Sequence, residues 1–100
     1  RLKYFFYFLG ASRLFLIYRK FKDISLSALG LGMMRLPVVN GDNSVVDEAA
    51  VAEMIDYAYK NGINYFDTAW GYHNGNSELS AGKFLSQYPR GSYYLATKFP

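Results

Sequence analysis

Residues 47–67, DEAAVAEMIDYAYKNGINYFD, decide the fold. Asp47 is an N-cap residue, and Glu48 behind it suits the positive end of a helix. Val51, Met54, Ile55 and Ala58 recur at i, i+3, i+4 and i+7 as one apolar stripe. Glu53, Asp56 and Lys60 fall off that stripe. Asn61-Gly62 stops the helix, since glycine accepts the left-handed conformation there. Residues 63–67 then read as a strand rich in β-formers. A helix that delivers the chain into a strand is half of a βαβ winding.

The same grammar continues on both sides. Downstream, residues 68–76 read as a loop, and Ser77 as the cap of a second helix running to about Tyr88. Ala81, Phe84 and Leu85 lie on its inner face. Pro89-Arg90-Gly91 breaks it, and residues 93–98 form the next strand. Upstream, Tyr18–Phe21 and residues 24–29 flank Lys22-Asp23 as two short strands and a turn. Residues 30–34 are a third apolar run stopped by Pro37, and residues 40–44 are a turn-rich loop. Strand, helix, strand, helix, strand predicts an α/β fold on a parallel sheet. Periodicity does not separate an open sheet from a barrel. A Rossmann phosphate loop is disfavoured: Gly30-x-Gly32 is followed by Arg35 where that motif needs its third glycine, and no helix starts there.

The net charge of +3 is unevenly spread. Residues 1–22 carry Arg1, Lys3, Arg13, Arg19, Lys20, Lys22 and no acid, whereas residues 23–100 have a net charge of −3. The basic balance therefore belongs to the start of the chain and implies no nucleic-acid partner. Cysteine is absent, which excludes disulfides and thiolate metal sites in this stretch. Residues 1–17 are apolar and basic, an extension unlike residues 18–100. Three accounts of residues 1–16 stand: upstream translation, a weak targeting segment with Gly10-Ala11-Ser12 near its end, or a structural extension. Arg13 interrupts the apolar run, so no membrane span is expected. One hundred residues fall short of the roughly 250 of a closed barrel, so the chain is expected to be part of a larger domain and inactive alone.

Three polar residues fall at or beyond the C-terminal ends of predicted strands: Asp67, Tyr72 in the following loop, and Lys98. That end is where parallel α/β folds build active sites. An ammonium beside a phenol favours the phenolate, which makes the phenol a better proton donor to a carbonyl oxygen. An aspartate beside the lysine keeps it charged and in place. Spacing alone is weak support, because tyrosine supplies 10 of 100 residues. A strand-end lysine is usually only solvated. His73, the single histidine, is either a pocket residue or a loop residue at the rim, and without a ligand set it is no metal site. Trp70 is either an aromatic wall for substrate or loop packing. Glu78 is either a helix-start acid or a contact to a neighbouring loop.

Gly62-Ile-Asn-Tyr-Phe-Asp-Thr-Ala69, then Tyr72, Gly75-Asn-Ser-Glu78 and Gly82, resembles the signature of the aldo/keto reductase family. Leu29-Gly-Leu-Gly-Met-Met-Arg-Leu36 is similar to that family's first barrel strand, and Ala96-Thr-Lys98 to its third. The resemblance covers residues 18–100 and implies a partial (β/α)₈ TIM barrel: an N-terminal hairpin, three strands and two helices. It implies reduction of an aldehyde or ketone by NADPH or NADH, with Tyr72 as proton donor, Lys98 as its tuner and Asp67 as the partner of Lys98. Gly32, Met33, Met34 and Asp67 would approach the cofactor. Trp70 and His73 stay candidate substrate-pocket residues from their place beside Tyr72, with the alternatives given above. The family's histidine and most of its cofactor contacts would lie beyond Pro100. Residues 33–35 and 70–78 resemble a bacterial branch, some members of which carry an iron–sulfur segment. The implied location is cytoplasmic and the partner a small carbonyl compound. The alternatives are a non-catalytic nicotinamide-binding subunit on this fold, as in potassium-channel β-subunits, or an inert truncated product.

Overall fold

Helix α1, Glu48–Lys60, forms where the apolar stripe places it. The Asp47 carboxylate accepts from the Ala50 N–H at 3.2 Å, and Gly62 beyond the last turn has φ 101°. Val51, Ile55 and Ala58 are fully buried. The structure is a computed structural model that describes residues 16–100. The atypical extension, up to residue 15, lies outside the described residues. Leu16 packs against the core, and the Ile17 carbonyl accepts from Ala28 N–H.

Strands β1 (Tyr18–Phe21) and β2 (Ile24–Ser27) form an antiparallel hairpin with Tyr18 opposite Ser27. Strand β3 (Leu31–Gly32) follows. Strands β4 (Val38–Val39) and β5 (Asp42–Val46) make a second hairpin where a loop was expected. Its turn is Asn40-Gly41, both at positive φ (52° and 70°), the conformation that tight hairpin turns demand. After α1 come β6 (Tyr65–Asp67), helix α2 (Asn76–Leu85) and β7 (Tyr94–Ala96). The strands are shorter than the sequence suggests. Helix α2 stops at Leu85 and not near Tyr88, because Tyr88 turns aside to stack on Tyr59 at 3.8 Å and to donate to Asp56 of α1.

The central sheet has the order β3-β6-β7 and both pairs are parallel, as expected. Leu31, Phe66 and Leu95 stand in one row across it, and Gly32, Asp67 and Ala96 in the next. The period-two pleat sends these rows to opposite faces. The first row joins Val51, Ile55 and Ala58 of α1 and Ala81 and Leu85 of α2 in one core. The second row faces away from the helices and leaves Asp67 partly exposed. At the N-terminal end of β6, Asn64 accepts from Ser27 N–H and donates to the Ser25 carbonyl, which ties the β1–β2 hairpin to that end of the sheet. The opposite end is free to carry chemistry.

Candidate active site

Asp67 is the last residue of β6, and the chain does not diverge from β7 at once. Thr68 N–H donates to the Ala96 carbonyl at 2.8 Å and Trp70 N–H to the Lys98 carbonyl at 3.0 Å. These two bonds carry the β6–β7 pairing past the sheet and bring Lys98 level with the loop. Lys98 Nζ donates to Asp67 Oδ1 at 3.0 Å and to the Thr68 carbonyl at 2.9 Å. It also stands 5.0 Å from the centroid of the Tyr72 ring. The three residues singled out in the sequence therefore meet at one place.

The Asp67 carboxylate, and secondarily the Tyr72 phenol, hold the Lys98 ammonium above its ordinary pKa. Its charge persists at a pH where a free lysine has begun to lose it. Both members of the ion pair are about half exposed, so it adds little to stability. What the pair does is fix where the ammonium sits.

Gly32 lies beside Asp67 in the sheet, and a β-carbon added there would meet nothing within 4 Å. The space in front of the carboxylate is thus open. Met33 N–H donates to the Asp67 carbonyl at 2.8 Å, while the Met33 side chain is fully buried in the core. Met33 can face a ligand only with its backbone. Met34 and Trp70 are exposed, Trp70 to 58%.

Two sequence expectations need correction. Ser77 is not a cap. The cap position lies two residues earlier, at Gly75 with φ 92°, so helix α2 starts at Asn76 with no side-chain cap. Ser77 is instead fully buried and donates to the Met33 carbonyl at 2.9 Å, so the Thr68 hydroxyl must be the donor in the 2.6 Å Thr68–Ser77 bond. That chain links the first turn of α2, the end of β6 and the segment after β3 beneath the site. Ser77→Ala strands the Thr68 hydroxyl and the Met33 carbonyl in the core. A loss of about 1–3 kcal/mol is expected, read as a lower urea midpoint at unchanged slope.

The second correction concerns His73, which is no rim residue. It is 2% exposed, and both ring nitrogens bond backbone groups of the β3–β5 region. Such an enclosed ring offers no edge to a substrate. Glu78 meets both of its expectations: it lies in the first turn of α2 and accepts from the Thr97 hydroxyl. Thr68 and Asn76 were not singled out from the sequence. A buried hydroxyl pair leaves no mark on periodicity, and the sequence marks Ser77 only as a cap. Among the described residues no group of three His, Asp or Glu side chains is placed to hold a metal. No described helix is long and apolar enough to cross a membrane.

The model of the aldo/keto reductase family matches residues 28–100. The NADH-specific methylglyoxal reductase of Escherichia coli (strain K12) is 40% identical over 79 residues, covering 76% of this chain and 23% of that protein. The Glycine max protein named Probable aldo-keto reductase 1 is also 40% identical, over 78 residues, covering 78% of this chain and 22% of its own length. A thermostable aldo-keto reductase crystallised with the inhibitor epalrestat superposes with a TM-score of 0.67 at 22% identity, over 84% of this chain and 31% of that one. That last likeness concerns the fold. The chain spans less than a quarter of the length of these two curated relatives.

Proposed function

Since this chain belongs to the aldo/keto reductase family, we propose that it supplies the proton-donating half of a carbonyl reductase's active site. The reaction is reduction of an aldehyde or ketone to an alcohol at the expense of NADH or NADPH. The observation that carries the proposal is the meeting of Asp67, Tyr72 and Lys98 at the open, C-terminal end of a parallel sheet. The three-stranded sheet with two helices on one face is then the first part of a (β/α)₈ barrel. The β1–β2 hairpin lies at its other end. Residues 18–100 belong to that barrel domain, and the preceding extension stands apart from it in composition.

The chemistry assigned to these residues follows from charge. A carbonyl oxygen gains negative charge as its carbon is reduced, and the Tyr72 phenol gives it a proton. The phenolate left behind is stabilised by the Lys98 ammonium over its ring. Asp67 holds that ammonium by the 3.0 Å pair. A bound nicotinamide supplies the hydride. The open space at Gly32, the backbone of Met33-Met34 and the Asp67 carboxylate would hold that group at the C-terminal end of the sheet. Trp70 offers an exposed indole to the substrate side. The reaction is proposed for the full-length protein.

The test is carbonyl-dependent loss of nicotinamide absorbance by purified full-length protein. Methylglyoxal and a set of aldehydes are tried with NADH and NADPH in parallel. Oxidation of either cofactor that requires the carbonyl is expected. Tight cofactor binding with no turnover on any carbonyl would favour a non-catalytic nicotinamide-binding subunit instead.

A further inference from the structure

We propose that His73 is a positioning residue, whose two backbone hydrogen bonds lock the left-handed turn that aims Tyr72 at Lys98. This rests on Tyr72 being the proton donor. The three residues after Tyr72 all have positive φ: His73 at 54°, Asn74 at 53° and Gly75 at 92°. Only glycine adopts that region freely, so His73 and Asn74 hold strained backbone. Strain of this kind persists only where surrounding structure over-determines it.

His73 supplies that determination. Its ring is sealed in the protein. Nε2 lies 2.9 Å from Leu36 N, and Nδ1 lies 2.8 Å from the Asn43 carbonyl. An amide nitrogen can only donate, so Nε2 is the acceptor and Nδ1 carries the proton. The ring thus bonds one group before the β4–β5 hairpin and one within it. Asn76 adds a second tie, donating to the Ser44 carbonyl of β5 at 2.7 Å. Apart from the ring's contact with Lys98, Tyr72 is held by local backbone bonds: its N–H donates to the Ala69 carbonyl at 3.2 Å and its carbonyl accepts from the Asn76 N–H. Its direction is therefore set by the backbone that follows it, and the second hairpin becomes a buttress for the Tyr72 loop. An apolar side chain of similar size would fill the site of the ring but leave Leu36 N–H and the Asn43 carbonyl unpaired.

The experiment measures kcat, carbonyl KM and cofactor Kd for His73 variants of the full-length protein, each with Tyr72 present and in a Tyr72→Phe background. His73→Gly accepts the left-handed backbone and loses both bonds. It is expected to lower kcat by about 10- to 10²-fold with cofactor Kd unchanged, the scale of misplacing a reacting group by about 1 Å. His73→Asn tolerates left-handed backbone and carries an amide donor for the Asn43 carbonyl, and should recover most of the loss. In the Tyr72→Phe background His73→Gly should cause no further fall, because the group it aims is gone. An equal fall in both backgrounds, or wild-type kcat for His73→Gly, overturns the proposal. If the glycine variant does not fold, His73→Gln decides by the same comparison. Its amide oxygen can stand in for Nε2 toward the Leu36 N–H, but nothing occupies the Nδ1 position to donate to the Asn43 carbonyl, and unchanged kcat overturns positioning. Wild-type turnover in Tyr72→Phe alone would instead sink the proton-donor assignment on which all of this depends.

Discussion

Tyr72→Phe in the full-length protein is expected to lower turnover by at least about 10²-fold, since general acid catalysis is worth roughly 10²–10⁴-fold. Only the hydroxyl is removed. The Tyr72 N–H bond to Ala69 and the stacking of the ring under Lys98 Nζ survive, so the loop should keep its shape. Cofactor affinity should change little, which separates a lost proton from a damaged site. Lys98→Met acts on the same step by withdrawing the charge that stabilises the phenolate. The double variant should therefore be little worse than the worse single one. Steady-state kinetics on the three variants check this. Wild-type turnover in Tyr72→Phe would move the proton source elsewhere, and His73 is no substitute, because its ring is buried and committed to backbone.

Phe66→Ala carries the largest expected loss of stability, about 3–5 kcal/mol. That is a large share of the roughly 5–15 kcal/mol that holds a domain together. Phe66 is fully buried on the central strand, between Leu31 and Leu95 in register, and meets Tyr93 edge to face at 6.3 Å. Removing the ring empties the seam between the sheet and both helices. It also loosens the strand that ends in Asp67, so activity should fall with stability. Urea denaturation of the full-length protein measures the loss. A change under about 1 kcal/mol would mean that the core is not organised around β6. Phe66→Leu, which leaves a smaller void, should be markedly milder.

Elements whose causes are local can be read from the residues. Asp47 caps α1, the 51-54-55-58 stripe buries it, and Gly62 stops it at positive φ; each needs only near neighbours in the chain. The strand ends at Asp67 and near Lys98 were legible for the same reason, and a parallel sheet follows from the strand–helix alternation. The second hairpin was partly written, in Asn40-Gly41 between valine pairs, but strands this short barely register against the turn residues around them. The tertiary structure alone decided the rest. His73 bonds partners 37 and 30 residues away, and Ser77 bonds the Met33 carbonyl 44 residues back. A histidine in a loop or a serine near a helix start carries no local sign of burial. Whether its polar atoms face water or a stranded backbone group is settled only when distant segments pack, because a buried polar group must find its partner wherever the fold brings one.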